Sequence, residues 1–280
     1  MIAARPDLLV IGGLTADRFA DGSSAPGGSV LHIARAAGAW GMRLAVMTVA
    51  GPEPEAQAGL EELRRLTAWL ESSAADSTAT FIHRDSPEGR RLWLEQGGGP
   101  IRMADLATRD APRAILVAPI ADEVATEDMA RKDAATTRGA ILQGFLRSFA
   151  ADGEVRPLPL SALDPRLVAA VSEFDLLVAS REDLAGEAAE PEEQHVALRS
   201  RVGGRPAIVL TDGVRGVWTE REHLPVRRRI DGVASVGAGD IFAAFMLAEA
   251  WPRPAPAAFL RQRAEAAMLA VAEVLEERRG

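Results

Sequence analysis

The segment richest in chemistry is Val236-Gly237-Ala238-Gly239-Asp240, which runs into the apolar stretch Ile241-Phe242-Ala243-Ala244-Phe245-Met246-Leu247. A glycine-rich turn that opens an apolar helix leaves the first backbone N–H groups without intrahelical partners. It also turns the positive end of the helix dipole outward, so the junction is an anion site. Phosphate is the natural guest, because Gly237 and Gly239 carry no Cβ to block its approach and Ala238 adds a third amide. Asp240, in the first helical turn, has two readings. It caps the helix, or it is a general base that takes an alcohol's proton as that oxygen attacks a phosphoryl group, while the amides of Gly237, Ala238 and Gly239 hold the developing charge.

Two further glycine-bearing segments fit such a site. Ala25-Pro26-Gly27-Gly28-Ser29 precedes an Ala-rich helix, with Asp17 upstream in Gly13-Leu14-Thr15-Ala16-Asp17. The Gly27-Gly28 pair is either a tight loop with Ser29 as a helix cap, or bare backbone facing the Asp17 carboxylate and suited to the hydroxyls of a polyol. The stretch from Ile208 to Trp218 reads as a strand ending in Thr211-Asp212-Gly213-Val214-Arg215-Gly216. Thr211 offers a hydroxyl and Gly213 an amide to nucleotide phosphates, and the same string also suits a plain hairpin connection.

The frame that holds these segments is α/β. Low-charge runs at Asp7–Gly13, Leu44–Val49, Ala114–Ala118, Ala140–Leu142, Asp175–Ala179 and Ala207–Leu210 suit buried parallel strands. They alternate with helical stretches at Ser29–Trp40, Glu53–Glu71, Pro165–Glu173, Glu192–Arg201, Gly239–Ala250 and Pro256–Arg279. Open α/β sheets gather ligands at the carboxyl ends of their strands, and Asp17 falls at the end of the first one. Two stretches break the rhythm, Arg18–Ala25 and Thr78–Gly97. In the second, Thr80 and Ile82, then Leu92 and Leu94 beyond a Ser-Pro-Glu-Gly turn, read as a hairpin with one apolar face. It is expected to lie outside the main sheet as a small β lid, the other reading being an edge hairpin of that sheet. Asp122–Arg138 is polar and reads as either a solvated helix or a loop.

Composition sets the outer limits. The 280 residues include no cysteine, which excludes disulfides, thiolate nucleophiles and Cys-ligated metal centres. The net charge of −8 disfavours nucleic acid and anionic membrane as partners. No apolar run approaches the ~20 residues that span a bilayer, and the first residues lack a signal-peptide pattern, so the cytoplasm is the expected compartment. Lys132 is the sole lysine, so any lysine-based chemistry would have to use it.

Taken in order, Gly27-Gly28, the Thr211-x-Gly213-x-x-Gly216 turn and the Gly237-Ala238-Gly239-Asp240 helix start resemble the PfkB, or ribokinase-like, carbohydrate kinase family, over nearly the whole chain. The resemblance implies a single doubly wound α/β domain, 1–280, with lid strands near 14–27 and 78–97. It implies transfer of the ATP γ-phosphate to a hydroxyl of a sugar, polyol or nucleoside, with Mg2+. Asp240 matches the family's base, Gly237, Ala238 and Gly239 its anion hole, Asp17, Gly27 and Gly28 its substrate contacts, and Thr211, Gly213 and Gly216 its nucleotide turn. Leu142–Arg147 resembles a strand end of inositol-kinase-like subgroups, in which Arg147 faces phosphate or substrate. The family's Asn-x-x-Glu motif corresponds to Ser180-Arg181-Glu182-Asp183, with the magnesium role falling to Asp183 or to Glu182. Ala234 and Ser235 replace an Asp-Thr pair whose carboxylate helps organise a monovalent cation, and His32 stands where many members have Asn. These departures also allow a catalytically impaired pseudokinase that binds nucleotide or polyol and acts in regulation. Lid strands with unpaired edges imply a homodimer.

Overall fold

The computed structural model describes residues 5–86, 89–101, 111–129, 136–233, 235–248 and 251–279. Lys132, Ala234 and the Pro87-Glu88 turn lie outside the described residues.

In chain order the elements are β1 (Leu8–Gly12), β2 (Thr15–Arg18), β3 (Ser24–Gly27), α1 (Ser29–Ala37), β4 (Leu44–Ala50), α2 (Pro54–Leu66), β5 (Trp69–Ala74), β6 (Ala79–Ser86) and β7 (Gly89–Gln96). Then come β8 (Ala114–Ala118), the short α3 (Thr126–Met129), β9 (Thr137–Ile141), β10 (Arg147–Phe149), β11 (Val155–Pro157), α4 (Pro165–Val171), β12 (Leu176–Ser180) and α5 (Pro191–Val202). The chain closes with β13 (Ala207–Thr211), β14 (Val217–Trp218), β15 (His223–Leu224), α6 (Ala238–Leu247) and α7 (Ala257–Glu277). Nine strands form one sheet in the order β15-β14-β13-β12-β9-β8-β1-β4-β5, parallel except for the β13–β14–β15 end.

Helices cover both faces, which is why the central strands carry almost no polar residues. Along β1 the pleat sends Leu8 and Val10 to the face under α1, α2, α6 and α7, and Leu9 and Ile11 to the face under α4 and α5, all fully buried. The winding reverses between β1 and β8, so a crevice opens at the carboxyl ends of the strands there. This is the expected doubly wound α/β architecture.

The alternating segments form their own four-stranded sheet, β3-β2-β6-β7, with β2 and β6 parallel. The hairpin at 78–97 therefore belongs to this separate sheet and is not an edge of the main one. Two differences from the sequence reading have local causes. The helix expected over Glu53–Glu71 stops at Leu66, because Thr67 turns extended (φ −115°, ψ 151°) and Trp69–Ala74 pair with β4 as the edge strand β5. Strand β9 starts at Thr137, earlier than a buried arginine would suggest. Arg138 is accommodated because its N–H donates to Asp175 Oδ2 at 2.9 Å and its guanidinium donates to the Glu173 carbonyl at 3.1 Å. Within Asp122–Arg138, the described part forms α3 and the start of β9.

Candidate functional site

A cleft of about 820 Å3 opens at the carboxyl ends of the main strands, with β2 and β6 of the small sheet along one wall. Asp17, Gly28, Arg147, Ser180, Glu182, Asp183, Thr211, Gly213, Gly216 and the whole Gly237–Asp240 turn line it. Sequence positions more than 200 apart thus meet in one cavity. Gly27 is the exception, since it lies behind Asp17: a Cβ there would collide with the Asp17 carboxyl and come within 2.7 Å of Thr15 Oγ1.

The cradle is built from backbone. Gly237 is the N-cap of α6 in the left-handed region (φ 79°), and no side chain caps the helix. The N–H groups of Gly237, Gly239 and Asp240 meet no backbone acceptor among the described residues, whereas Ala238 N–H donates to Ser235 O at 3.0 Å. Ala238 thus closes the turn, and Gly237, Gly239 and Asp240 carry the free donors. Any side chain at Gly237 would strike the His32 ring of α1 in addition to straining the backbone. Burial holds the His32 imidazole near a pKa of about 4, with the Arg278 charge adding to the effect, so it stays neutral beneath the cradle. Arg278 Nη1 donates to Val236 O at 2.9 Å, fixing the peptide that leads into Gly237.

Asp240 opens onto the cleft, yet protein surrounds its carboxyl closely enough that burial raises its pKa to about 6. The nearby Ser29 hydroxyl and, after it, the Arg147 charge oppose the rise, while the Asp183 charge adds to it. Ser29 is the first residue of α1, whose N-cap is Gly28. Its hydroxyl therefore joins the Gly27-Gly28 segment to the Gly-Ala-Gly-Asp segment. Asp183 is also pushed up to about 6, chiefly by burial, and accepts the Ser180 N–H at 3.2 Å. Arg147 is the cation among these acids. Burial lowers its pKa, and the charges of Asp183, Asp240, Glu123 and Asp17 counter that effect in decreasing order. Its Nη1 donates to Ile120 O at 3.2 Å and its guanidinium lies 5.7 Å from the Phe81 ring centre.

At one end of the cleft, Asp17 Oδ1 accepts the Thr15 hydroxyl at 2.9 Å and lies 3.5 Å from His83 Nε2. Gly28 (φ 100°) leaves no room for a Cβ against the Gly13 carbonyl. At the other end, Gly213 (φ 54°) and Gly216 (φ 112°) shape the turn into β14, and Thr211 Oγ1 donates to Ala179 O at 3.4 Å. This turn is both a hairpin connection and a wall of the cleft. Val226, Val236, Met268, Val271, Ala272 and Leu275 give the lining of the same cavity an apolar stretch.

Among the described residues no three acidic or histidine side chains lie close enough to enclose a metal ion by themselves. Asp183 and Glu182 bring one or two carboxylates to the cleft wall, which is the donor set that suits magnesium carried by phosphates and water. His83, the Ser29 link and the apolar stretch escaped the sequence reading. The alternation that marks β6 contains the only available signal for His83.

No protein-family profile matches the chain, and no curated protein sequence matches it. Solved structures do match in fold. A pyrophosphate-dependent kinase in the ribokinase family, complexed with a pyrophosphate analog and myo-inositol, superposes with a TM-score of 0.74 at 17% identity, over 96% of this chain and 95% of that one. Ribokinase from Arabidopsis thaliana complexed with ribose and ATP gives 0.67 at 16% identity, over 99% and 94%. Fructokinase from Vibrio cholerae O395 gives 0.66 at 16% identity, over 99% and 100%. The chain has the ribokinase-like fold.

Proposed function

We propose that this protein is a phosphotransferase that moves the terminal phosphoryl group of ATP to a hydroxyl of a sugar or polyol. The observation that carries this reading is the placement of the Asp240 carboxyl in the first turn of α6, beside the free N–H groups of Gly237, Gly239 and its own backbone, where burial raises its pKa. Asp240 takes the acceptor's hydroxyl proton, the freed oxygen bonds to the γ-phosphorus, and the bond to the bridging oxygen breaks, releasing ADP. The cradle amides and Arg147 hold negative charge as it develops on the phosphoryl oxygens. Asp17 orients acceptor hydroxyls, the Thr211–Gly216 turn holds the donor phosphates, and the apolar stretch from Val226 to Leu275 takes the base. Asp183 or Glu182 would hold magnesium with the phosphates, where the ion supplies charge neutralisation. The strands at 14–27 and 78–97 cover the acceptor end, excluding water and with it futile hydrolysis. Free edges of this small sheet favour pairing of two copies.

The experiment is a panel with ATP and, separately, pyrophosphate as donor against ribose, fructose, myo-inositol, glycerol and nucleosides, scored by phosphorylated product. Product with ATP supports the reading, and product with pyrophosphate alone moves the donor. Binding of ATP or polyol without any product favours the regulatory pseudokinase, a reading that the altered stretch Ser180–Asp183 keeps open.

A further inference from the structure

Among the groups lining the cleft, His83 of β6 is the one whose hydrogen bonding is least accounted for. Its side chain is only 11% exposed, and neither Nδ1 nor Nε2 has a hydrogen-bond partner among the described residues although both atoms are closed off from bulk water. A buried polar atom left unpaired costs free energy, so two on one ring call for a partner the protein chain does not supply. The ring is held in place, tilted over Phe19 with centroids 5.1 Å apart, so it cannot swing to solvent at no cost. Across the cleft end Asp17 Oδ1 stands 3.5 Å from Nε2, too far for a good direct bond. A small shift of the side chains as a ligand enters lets one oxygen lie about 2.8 Å from both.

We propose that His83 is an acceptor-recognition residue, holding with Asp17 one hydroxyl of a neutral polyhydroxy acceptor. A hydroxyl suits the pair because it both donates and accepts: its hydrogen goes to the Asp17 carboxylate and its oxygen receives Nε2–H. In that tautomer Nδ1 is a bare acceptor. A carboxylate or phosphate group fits neither position, since it donates nothing and faces the charge of Asp17. The nearby arginines do not reverse this preference. Arg91 and Arg156, which also line the cleft, both pair with the buried Glu154 carboxylate, Arg156 at 2.7 Å. The inference rests on the phosphotransfer reading for its choice of acceptor end, but its test reads acceptor binding and needs no turnover.

The test is calorimetric binding of myo-inositol, D-ribose and D-fructose, with and without ATP, to wild type, His83→Ala and His83→Gln. Wild type binds at least one of these. His83→Ala weakens that binding tenfold or more and leaves ATP affinity within twofold, and His83→Gln, which keeps a donor and an acceptor, recovers part of the loss. Against a set of monodeoxy analogues of the bound polyol, the penalty of His83→Ala disappears for the analogue lacking the hydroxyl held by the pair, which no general loosening of the fold would produce. Equal affinity of wild type and His83→Ala overturns the proposal, as does a penalty shared by every analogue, or binding confined to phosphorylated or carboxylated sugars. Should His83→Ala not fold, the comparison of wild type with His83→Gln across the analogues reads the same question. Tight polyol binding by wild type without product formation would sink the phosphotransfer reading while leaving the His83 assignment to be judged on affinity.

Discussion

The Ser29 hydroxyl favours the charged form of the Asp240 carboxyl, linking the first residue of α1 to the first turn of α6 across 211 positions of sequence. The pairing brings the two glycine-rich segments into one site and opposes the effect of burial on the carboxyl. Ser29→Ala removes that support. It should raise the Asp240 pKa above about 6 and lower the rate near pH 6, where less of the carboxyl is then ionised. A pH–rate profile checks this: the acid limb moves to higher pH in Ser29→Ala, and an unmoved limb refutes the link.

The wild-type profile follows from the same carboxyl. A general base works only when ionised, so kcat/KM should rise with pH through about 6 and level off above it. Asp183, itself near 6, adds to the pKa of Asp240 by its charge. Asp183→Asn should therefore shift the acid limb to lower pH, whatever it does to the plateau.

Stability carries the opposite sign. A carboxyl raised from 3.8 to about 6 in the folded state binds its proton more tightly folded than unfolded. The stability this contributes is full below the unfolded value and is lost as pH rises through about 6. At pH 8 the wild type bears the cost of a buried charge that Asp240→Asn does not. Asp240→Asn should be more stable by about 1 kcal/mol at pH 8, with the gap closing between pH 6 and pH 4. Thermal unfolding of both proteins across that range measures it, and a gap that widens on acidification would contradict the assignment.

Gly237 is fixed by two constraints at once, a left-handed backbone and the His32 ring against which a Cβ would press. Gly237→Ala should cost about 1–3 kcal/mol of stability and weaken donor binding, because the cradle N–H would shift. The double variant with His32→Ala should recover part of the stability, and additive losses would show that the ring is not the obstacle.

Much of this was legible in the sequence, for reasons that particular residues make plain. Leu8 to Gly12 and Ala207 to Leu210 read as buried strands because both of their faces are covered. Gly237 to Asp240 read as an anion site because helix starts have one geometry. What did not show was anything set by tertiary contact. The pairing of Ser29 with Asp240 joins distant segments, so the local sequence offers Ser29 only as a helix-cap candidate. The amide of Ala238 is consumed by Ser235, a turn detail no glycine spacing reveals. Trp69 to Glu71 continue a helical spacing, yet Trp69 to Ala74 form an edge strand because β4 offers them a partner. His83 stands out only once both of its nitrogens are found enclosed without partners.

The most direct measurement is phosphoryl transfer from ATP to the acceptor panel by wild type and Asp240→Asn side by side, with ATP affinity determined for both. Wild type should yield a phosphorylated sugar or polyol, and Asp240→Asn should fall by about 10²-fold or more in kcat while binding ATP almost unchanged, as loss of a positioned base requires. Equal turnover by the two proteins would contradict the account, and so would a wild type that phosphorylates no acceptor from either donor.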